Sequence, residues 1–208
     1  MRVLLTRPEG RNEELAERLR AGGHEVEIEP LIATEPLGDD AVELDGYDWL
    51  VVTSVTAARE LRRRGQGRPR QVAAIGRATA AALGGADLVP AVSTQEGLLA
   101  ELPRPAGRVL FAAAEGARRL LPDELEADVV ALYRTRELAP ATLPAADVVV
   151  LASASAARAY GRLGAGLPAV SIGPETTAAA ERAGVDVVRE ANTHDLDGLV
   201  DALASGPW

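Results

Sequence analysis

The stretch Ser54-Val55-Thr56-Ala57-Ala58-Arg59 recurs later in the chain as Ser153-Ala154-Ser155-Ala156-Ala157-Arg158. It is not an isolated echo. Ile75-Gly76 with Thr79 recurs as Ile172-Gly173 with Thr176, and Gly97-Leu98 with Leu102 recurs as Gly198-Leu199 with Leu203. Glu9-Gly10 with Leu15 and Leu19 recurs as Glu115-Gly116 with Leu121 and Leu125. All four pairs keep one order at nearly one spacing. A repeat of this period makes the chain two copies of one structural unit.

Working outward from the repeat, short Val/Leu runs alternate with amphipathic stretches. Residues 2–5, 25–29, 48–53, 71–75, 108–112, 128–132, 147–151, 169–172 and 186–189 read as strands. Helices are expected from the first repeat to Arg64, over 77–83, 95–102 and 118–125, and after each of the last three strands. Pro8 is expected in the first turn of the first helix, and Gly22-Gly23 ends that helix. Alternating strands and helices imply parallel sheets covered by helices. The Pro- and Gly-bearing stretches 30–38 and 132–144 read as connectors in matching places. Arg62-Arg63-Arg64 closes a helix and reads as a complement to its dipole.

Composition removes several function classes. There is no Cys, and all 22 basic residues are Arg. That excludes thiolate and Schiff-base chemistry and the P-loop lysine. His24 and His194 are too few for a histidine-built metal site, and both read as solvated. A net charge of -9 argues against nucleic-acid binding, which needs a basic face. No apolar run approaches the ~18 residues of a membrane span, and charge interrupts the N-terminus too early for a signal peptide. The expectation is a cytoplasmic protein without cofactor or metal, and a monomer.

In open α/β sheets the ligand lies beyond the carboxyl ends of the strands. The turns expected there carry Ser54 and Thr56, Gly76 and Thr79, Ser153 and Ser155, and Gly173, Thr176 and Thr177. Each offers backbone N–H groups and the positive end of a helix dipole to a carboxylate or phosphate. The same Ser and Thr residues also serve simply as N-caps. Arg7 ends the first strand and points to the same rim, with the fork geometry that suits carboxylates, or it pairs with Glu9 or Glu13. Tyr133 lies in a connector, where its phenol donates a proton or packs between domains.

Taken together, several segments carry a resemblance. They are Leu4-Leu5-Thr6-Arg7-Pro8, Val52-Thr53-Ser54, Ala74-Ile75-Gly76 with Thr79, and Glu96-Gly97-Leu98-Leu99. Leu132-Tyr133-Arg134-Thr135, Ser153-Ala154-Ser155 and Ile172-Gly173-Pro174 with Thr176-Thr177 complete the set. In this order the chain resembles the uroporphyrinogen-III synthase family along essentially its whole length. It departs from the family at Gly76-Arg77, where Gly-Pro is common. The resemblance implies an α/β fold of two similar parallel-sheet, flavodoxin-like domains from an internal duplication, joined by two connector strands. One domain takes 1–33 and 140–208, the other 40–131, with connectors at 34–39 and 132–139 and the substrate between the domains.

The implied reaction is the closure of hydroxymethylbilane to uroporphyrinogen III. The bilane loses its terminal hydroxyl as water to give an azafulvene. Ring D then attacks through its substituted carbon, passes through a spiro intermediate and recloses inverted. Without control the chain closes to the type I isomer. The resemblance places Tyr133 as the candidate for assisting hydroxyl loss and the rim residues as carboxylate grips. Two other readings stay open on the residues alone. One is a non-enzymatic two-domain module that closes on an anionic ligand. The other is a flavin or phosphate binder, which an aromatic content of 3% disfavours.

Overall fold

Runs of Val, Leu and Ile form buried strands, and the Ala-rich stretches between them form helices, as β-branched and unbranched side chains favour. The computed structural model describes residues 1–204. The last four residues of the expected 140–208 segment lie outside that range. Elements follow in the order β1 (Arg2–Leu5), α1 (Glu13–Ala21), β2 (Glu25–Ile28), β3 (Ile32–Pro36), β4 (Val42–Glu43), β5 (Trp49–Val52) and α2 (Val55–Arg64). Next come β6 (Gly65–Gln66), β7 (Gln71–Ala74), α3 (Arg77–Leu83), α4 (Gln95–Glu101), β8 (Val109–Ala114), α5 (Leu120–Glu124) and β9 (Asp128–Glu137). The chain continues through β10 (Val148–Leu151), α6 (Ala154–Leu163), β11 (Ala169–Ser171), α7 (Pro174–Arg182), β12 (Val187–Glu190) and α8 (Leu196–Ala204). No helix among the described residues is long and apolar enough to cross a membrane.

The chain forms two compact units. Unit 1 is Met1–Ala33 with the chain from Arg136 onward, and unit 2 is Thr34–Thr135. The sheet of unit 1 runs β12-β11-β10-β1-β2 with every pair parallel. Counted from β1 this is the doubly wound order 2-1-3-4-5. Alternation sends successive side chains to opposite faces. Val3, Leu5, Val148 and Val150 meet Leu15, Leu19, Leu199 and Leu203 of α1 and α8. Leu4, Val149 and Leu151 meet Ala156, Ala157, Tyr160 and Ala180 of α6 and α7. Each large core side chain contributes ~1.5–3 kcal/mol by burial, and truncating one to Ala costs ~2–5 kcal/mol.

In unit 2 the sheet runs β3-β9-β8-β5-β7. Counted from β8, the order β9-β8-β5-β7 is again 2-1-3-4. Leu88 bridges Ala73 in parallel, next to β7. Leu50, Val52 and Leu110 pack on Ala57, Ala58 and Leu61 of α2. Val51, Ala73 and Phe111 pack on Leu98, Leu102 and Leu121.

Small details repeat between the units. Asp147 accepts the Arg2 N–H at 2.6 Å and returns its own N–H to the Arg2 carbonyl at 2.8 Å. Asp48 and Arg108 exchange the same two bonds, both at 2.8 Å. Gly97 and Gly198, in the first turns of α4 and α8, have no room for a side chain. A Cβ would overlap the carbonyl oxygen of Val92 at one and of Thr193 at the other.

Four sequence expectations need correction. Pro8 precedes the first helix, in a turn closed by Arg11 N–H to the Pro8 carbonyl at 3.1 Å. The helix expected over 118–125 is only Leu120–Glu124. The strand expected over 128–132 runs on through the polar stretch after Leu132, because β9 continues to Glu137 beside β3. Arg64 is in the last turn of α2 but does more than complement its dipole: it is 9% exposed, and its guanidinium reaches the carbonyls of Asp40 at 2.8 Å and Leu37 at 3.0 Å. Arg63 holds Asp39 and Gly38 beside it, so the two arginines clamp the segment after β3.

Candidate functional site

At the carboxyl end of the unit 2 sheet, β5 ends where Ser54 takes an extended conformation and caps α2. Its Oγ accepts the Ala57 N–H at 3.1 Å. Tyr133, on β9, donates its phenol O–H to the same oxygen at 3.0 Å. The Tyr133 ring belongs to the unit 2 core and is only 8% exposed. Sequence reasoning took it for a connector residue, and packing against α2 is what holds its hydroxyl at the rim. Thr56 sits partly exposed in the first turn of α2. Gly76 caps α3, and a Cβ there would meet the Ser93 hydroxyl at 3.0 Å. Thr79 is 4% exposed, so its side chain belongs to the interior and not to the rim surface.

The equivalent end of unit 1 has a different set of partners. Arg7 follows β1, partly exposed, and its carbonyl accepts from the Asn12 side chain at 2.9 Å, which pins the turn. Ser153 caps α6 through Ala156 N–H at 3.2 Å, and its hydroxyl lies 3.1 Å from that of Ser155. Gly173 caps α7, with the N–H groups of Thr176 and Thr177 both 3.0 Å from its carbonyl. Thr176 is 4% exposed and faces the interior.

Thr177 is partly exposed, but its hydroxyl is already engaged. It donates to the Glu190 carboxylate and lies 2.5 Å from the Ser171 hydroxyl. A hydroxyl has one proton, so a Thr177 that gives its proton to Glu190 has none left for a ligand and accepts from Ser171. Ser171 and Glu190 were not read from the sequence. A signal for Ser171 existed: the first repeat has Ala74 at its position. None pointed to Glu190, which comes from a different strand.

Both histidines depart from the solvated reading. His194 is partly buried, with its ring against Gly173. His24 lines a cavity of about 380 Å³ with Met1, Leu19 and Leu203, near the amino end of β1 and away from the rim. Burial pushes its pKa below the ordinary imidazole value. No group of three or more His, Asp or Glu among the described residues is arranged to hold a metal. Asp195 caps α8 by accepting the Gly198 N–H at 2.9 Å, and that bond holds its pKa below the usual carboxylate value. Thr94 caps α4 in the same way, through Gly97 N–H at 3.0 Å.

Chemically, both rims are built from hydroxyls and helix-entry amides, groups whose chemistry suits an anion. Residues 13–201 match the family model for uroporphyrinogen-III synthase HemD. The chain belongs to the uroporphyrinogen-III synthase family. It is therefore an enzyme, a cyclising lyase of tetrapyrrole biosynthesis, and the reading as a non-enzymatic binding module is set aside. A uroporphyrinogen-III synthase of Synechococcus elongatus is 27% identical, covering 97% of this chain and 93% of its own length. The fold is similar to that of a mutant uroporphyrinogen III synthase from the extremely thermophilic bacterium Thermus thermophilus. That similarity has a TM-score of 0.64 at 18% identity, over 99% of this chain and 100% of that one.

Proposed function

We propose that this chain converts hydroxymethylbilane to uroporphyrinogen III chiefly by positioning. The observation that carries this is the make-up of the rims, where backbone amides and small hydroxyls gather and one phenol, that of Tyr133, is aimed among them. The substrate is intrinsically reactive and closes unaided, so the protein has to decide which carbon of ring D attacks. Holding a flexible reactant in one geometry is a large effect, worth up to ~7–11 kcal/mol in favourable cases. The side-chain carboxylates of the bilane are the handles. Arg7, Ser54, Thr56, Gly76, Ser153, Ser155 and Gly173 are the proposed contacts. Thr79, Thr176 and Thr177 act through the turns they stabilise. Tyr133 assists departure of the hydroxyl by donating a hydrogen bond or proton. To do so it gives up Ser54, which keeps its bond from Ala57.

The two units are proposed as products of an internal duplication, with β3 and β9 as the connecting strands. The matched Asp–Arg bonds, the matched glycines at 97 and 198 and the shared strand order support that descent. The enzyme is further proposed to act as a cytoplasmic monomer, without cofactor and without nucleic-acid partners. The test is incubation of the purified chain with freshly made hydroxymethylbilane, followed by separation of the isomers. Type III as the main product supports the reading. The type I mixture given by buffer alone would refute it.

A further inference from the structure

The turn into α7 has fewer donors than a helix start ordinarily offers. Pro174 has no N–H. The N–H groups of Thr176 and Thr177 are both directed at the Gly173 carbonyl. The Thr177 hydroxyl is given to Glu190, and Thr176 is buried. A carboxylate arriving at this turn meets fewer backbone N–H groups than at the start of α3, so a side-chain donor beside it adds to the grip.

His194 stands beside that turn. A Cβ built on Gly173 would come within 2.8 Å of His194 Cδ2 and 3.2 Å of Nε2, so ring and glycine are in close contact. The residue is partly exposed. No hydrogen bond or ion pair engages its ring among the described residues. Its backbone is held from the next residue, because Asp195 Oδ1 accepts from Gly198 N–H at 2.9 Å and from the Thr193 hydroxyl at 2.8 Å. In unit 2 the matching place before the cap of α4 is Ser93, beside Gly76. There α3 opens with Arg77, which keeps its N–H. The longer side chain, with a ring N–H to give, stands at the turn that has fewer backbone donors.

We propose that His194 is a substrate-binding residue, whose imidazole N–H donates to a carboxylate side chain of the linear tetrapyrrole at the rim of unit 1. An imidazole carries at least one N–H in either protonation state, so the contact does not require a charged ring. Two nearby carboxylates are themselves engaged, Glu190 by Thr177 and Asp195 by Gly198 and Thr193. This inference rests on the polycarboxylate reading of the preceding section.

The test compares His194→Phe, which keeps a planar ring against Gly173 but has no donor, with His194→Gln, which keeps a donor. Steady-state kinetics with hydroxymethylbilane are measured for both beside wild type, with thermal melts. His194→Phe is expected to raise KM about fivefold, with most of the effect in KM rather than kcat. His194→Gln is expected to bring KM back to within about twofold of wild type. If the Phe protein does not fold, His194→Ala takes its place and must show the same rise. A folded donorless variant with wild-type KM overturns the proposal, and so does equal impairment of the Phe and Gln variants, which would mean that ring shape matters and the donor does not. Failure of wild type to form type III in the same assay defeats the underlying reading and this proposal with it.

Discussion

Unit 1 and unit 2 put the same cap residues at the same ends of similar sheets, yet they engage them differently. In unit 2 the cap Ser54 receives a phenol from Tyr133 at 3.0 Å, and Ala74 lies at the end of β7. In unit 1 the cap Ser153 faces Ser155, while Ser171, at the end of β11, joins Thr177 and Glu190 in a chain of hydrogen bonds. Gly76 has a small hydroxyl beside it and Gly173 has an imidazole. The caps are what the fold requires twice. The partners added to one unit alone are where function is to be sought: Tyr133 in unit 2, His194 in unit 1.

The hardest test of that asymmetry is at the two glycines. Gly173→Val must drive the His194 ring away, whereas Gly76→Val meets only the Ser93 hydroxyl. Gly173→Val is expected to lower activity ~100-fold or more, because the turn is displaced along with the ring, and Gly76→Val clearly less, with both proteins folded by circular dichroism. Equal losses would mean that the neighbours of the glycines do not matter.

Next in size is Tyr133→Phe. A general acid contributes ~10²–10⁴-fold, and the pyrrole nitrogens already expel the leaving group, so a drop in kcat of about 10- to 100-fold is expected. Stability should barely change, because the ring keeps its packing and Ser54 keeps the Ala57 bond. Removal of the unit 1 counterpart by Ser155→Ala should change kcat by no more than about twofold. A wild-type rate for folded Tyr133→Phe would remove Tyr133 from the mechanism.

These residues also show what the sequence could and could not reveal. The recurring motifs made the α/β units legible, because a helix start after a strand needs a cap, and one that meets a backbone carbonyl needs a glycine, in either unit. Most strands were legible from Val/Leu runs buried on both faces. The extension of β9 was not, since Arg134, Thr135 and Arg136 break the apolar run and the strand depends on pairing with β3. At the carboxyl ends of the strands, local chemistry picked out Ser54 and Ser153 as helix caps and Gly76 and Gly173 as helix starts. It assigned Thr79 and Thr176 to the rim surface because it could not see which helix face is turned inward. It missed Glu190 and the placing of His194, because both are brought to the Gly173 turn by the packing of β12 and α8.

The smallest expected effect separates the caps themselves. Asp195→Ala and Thr94→Ala should each cost about 1 kcal/mol at neutral pH, the ordinary loss of an N-cap. Their pH dependence should differ. The Asp195 carboxyl has its pKa lowered in the folded state, chiefly by the Gly198 N–H. Its contribution is therefore present above the unfolded carboxylate range and is lost as pH falls through the lowered value. The cost of Asp195→Ala should shrink towards acid pH, while that of Thr94→Ala, a hydroxyl cap, stays constant. Chemical denaturation at neutral pH and again well into the acid range measures both. Parallel behaviour would show that Asp195 caps α8 without its charge.

The central claim is that positioning, not a single side chain, selects the isomer. It is tested most directly by the isomer ratio of the product formed by folded Tyr133→Phe at saturating hydroxymethylbilane. The account predicts that uroporphyrinogen III remains the dominant product although it forms more slowly. A shift to uroporphyrinogen I in a protein that still binds substrate would place the inversion of ring D on the phenol and contradict the account.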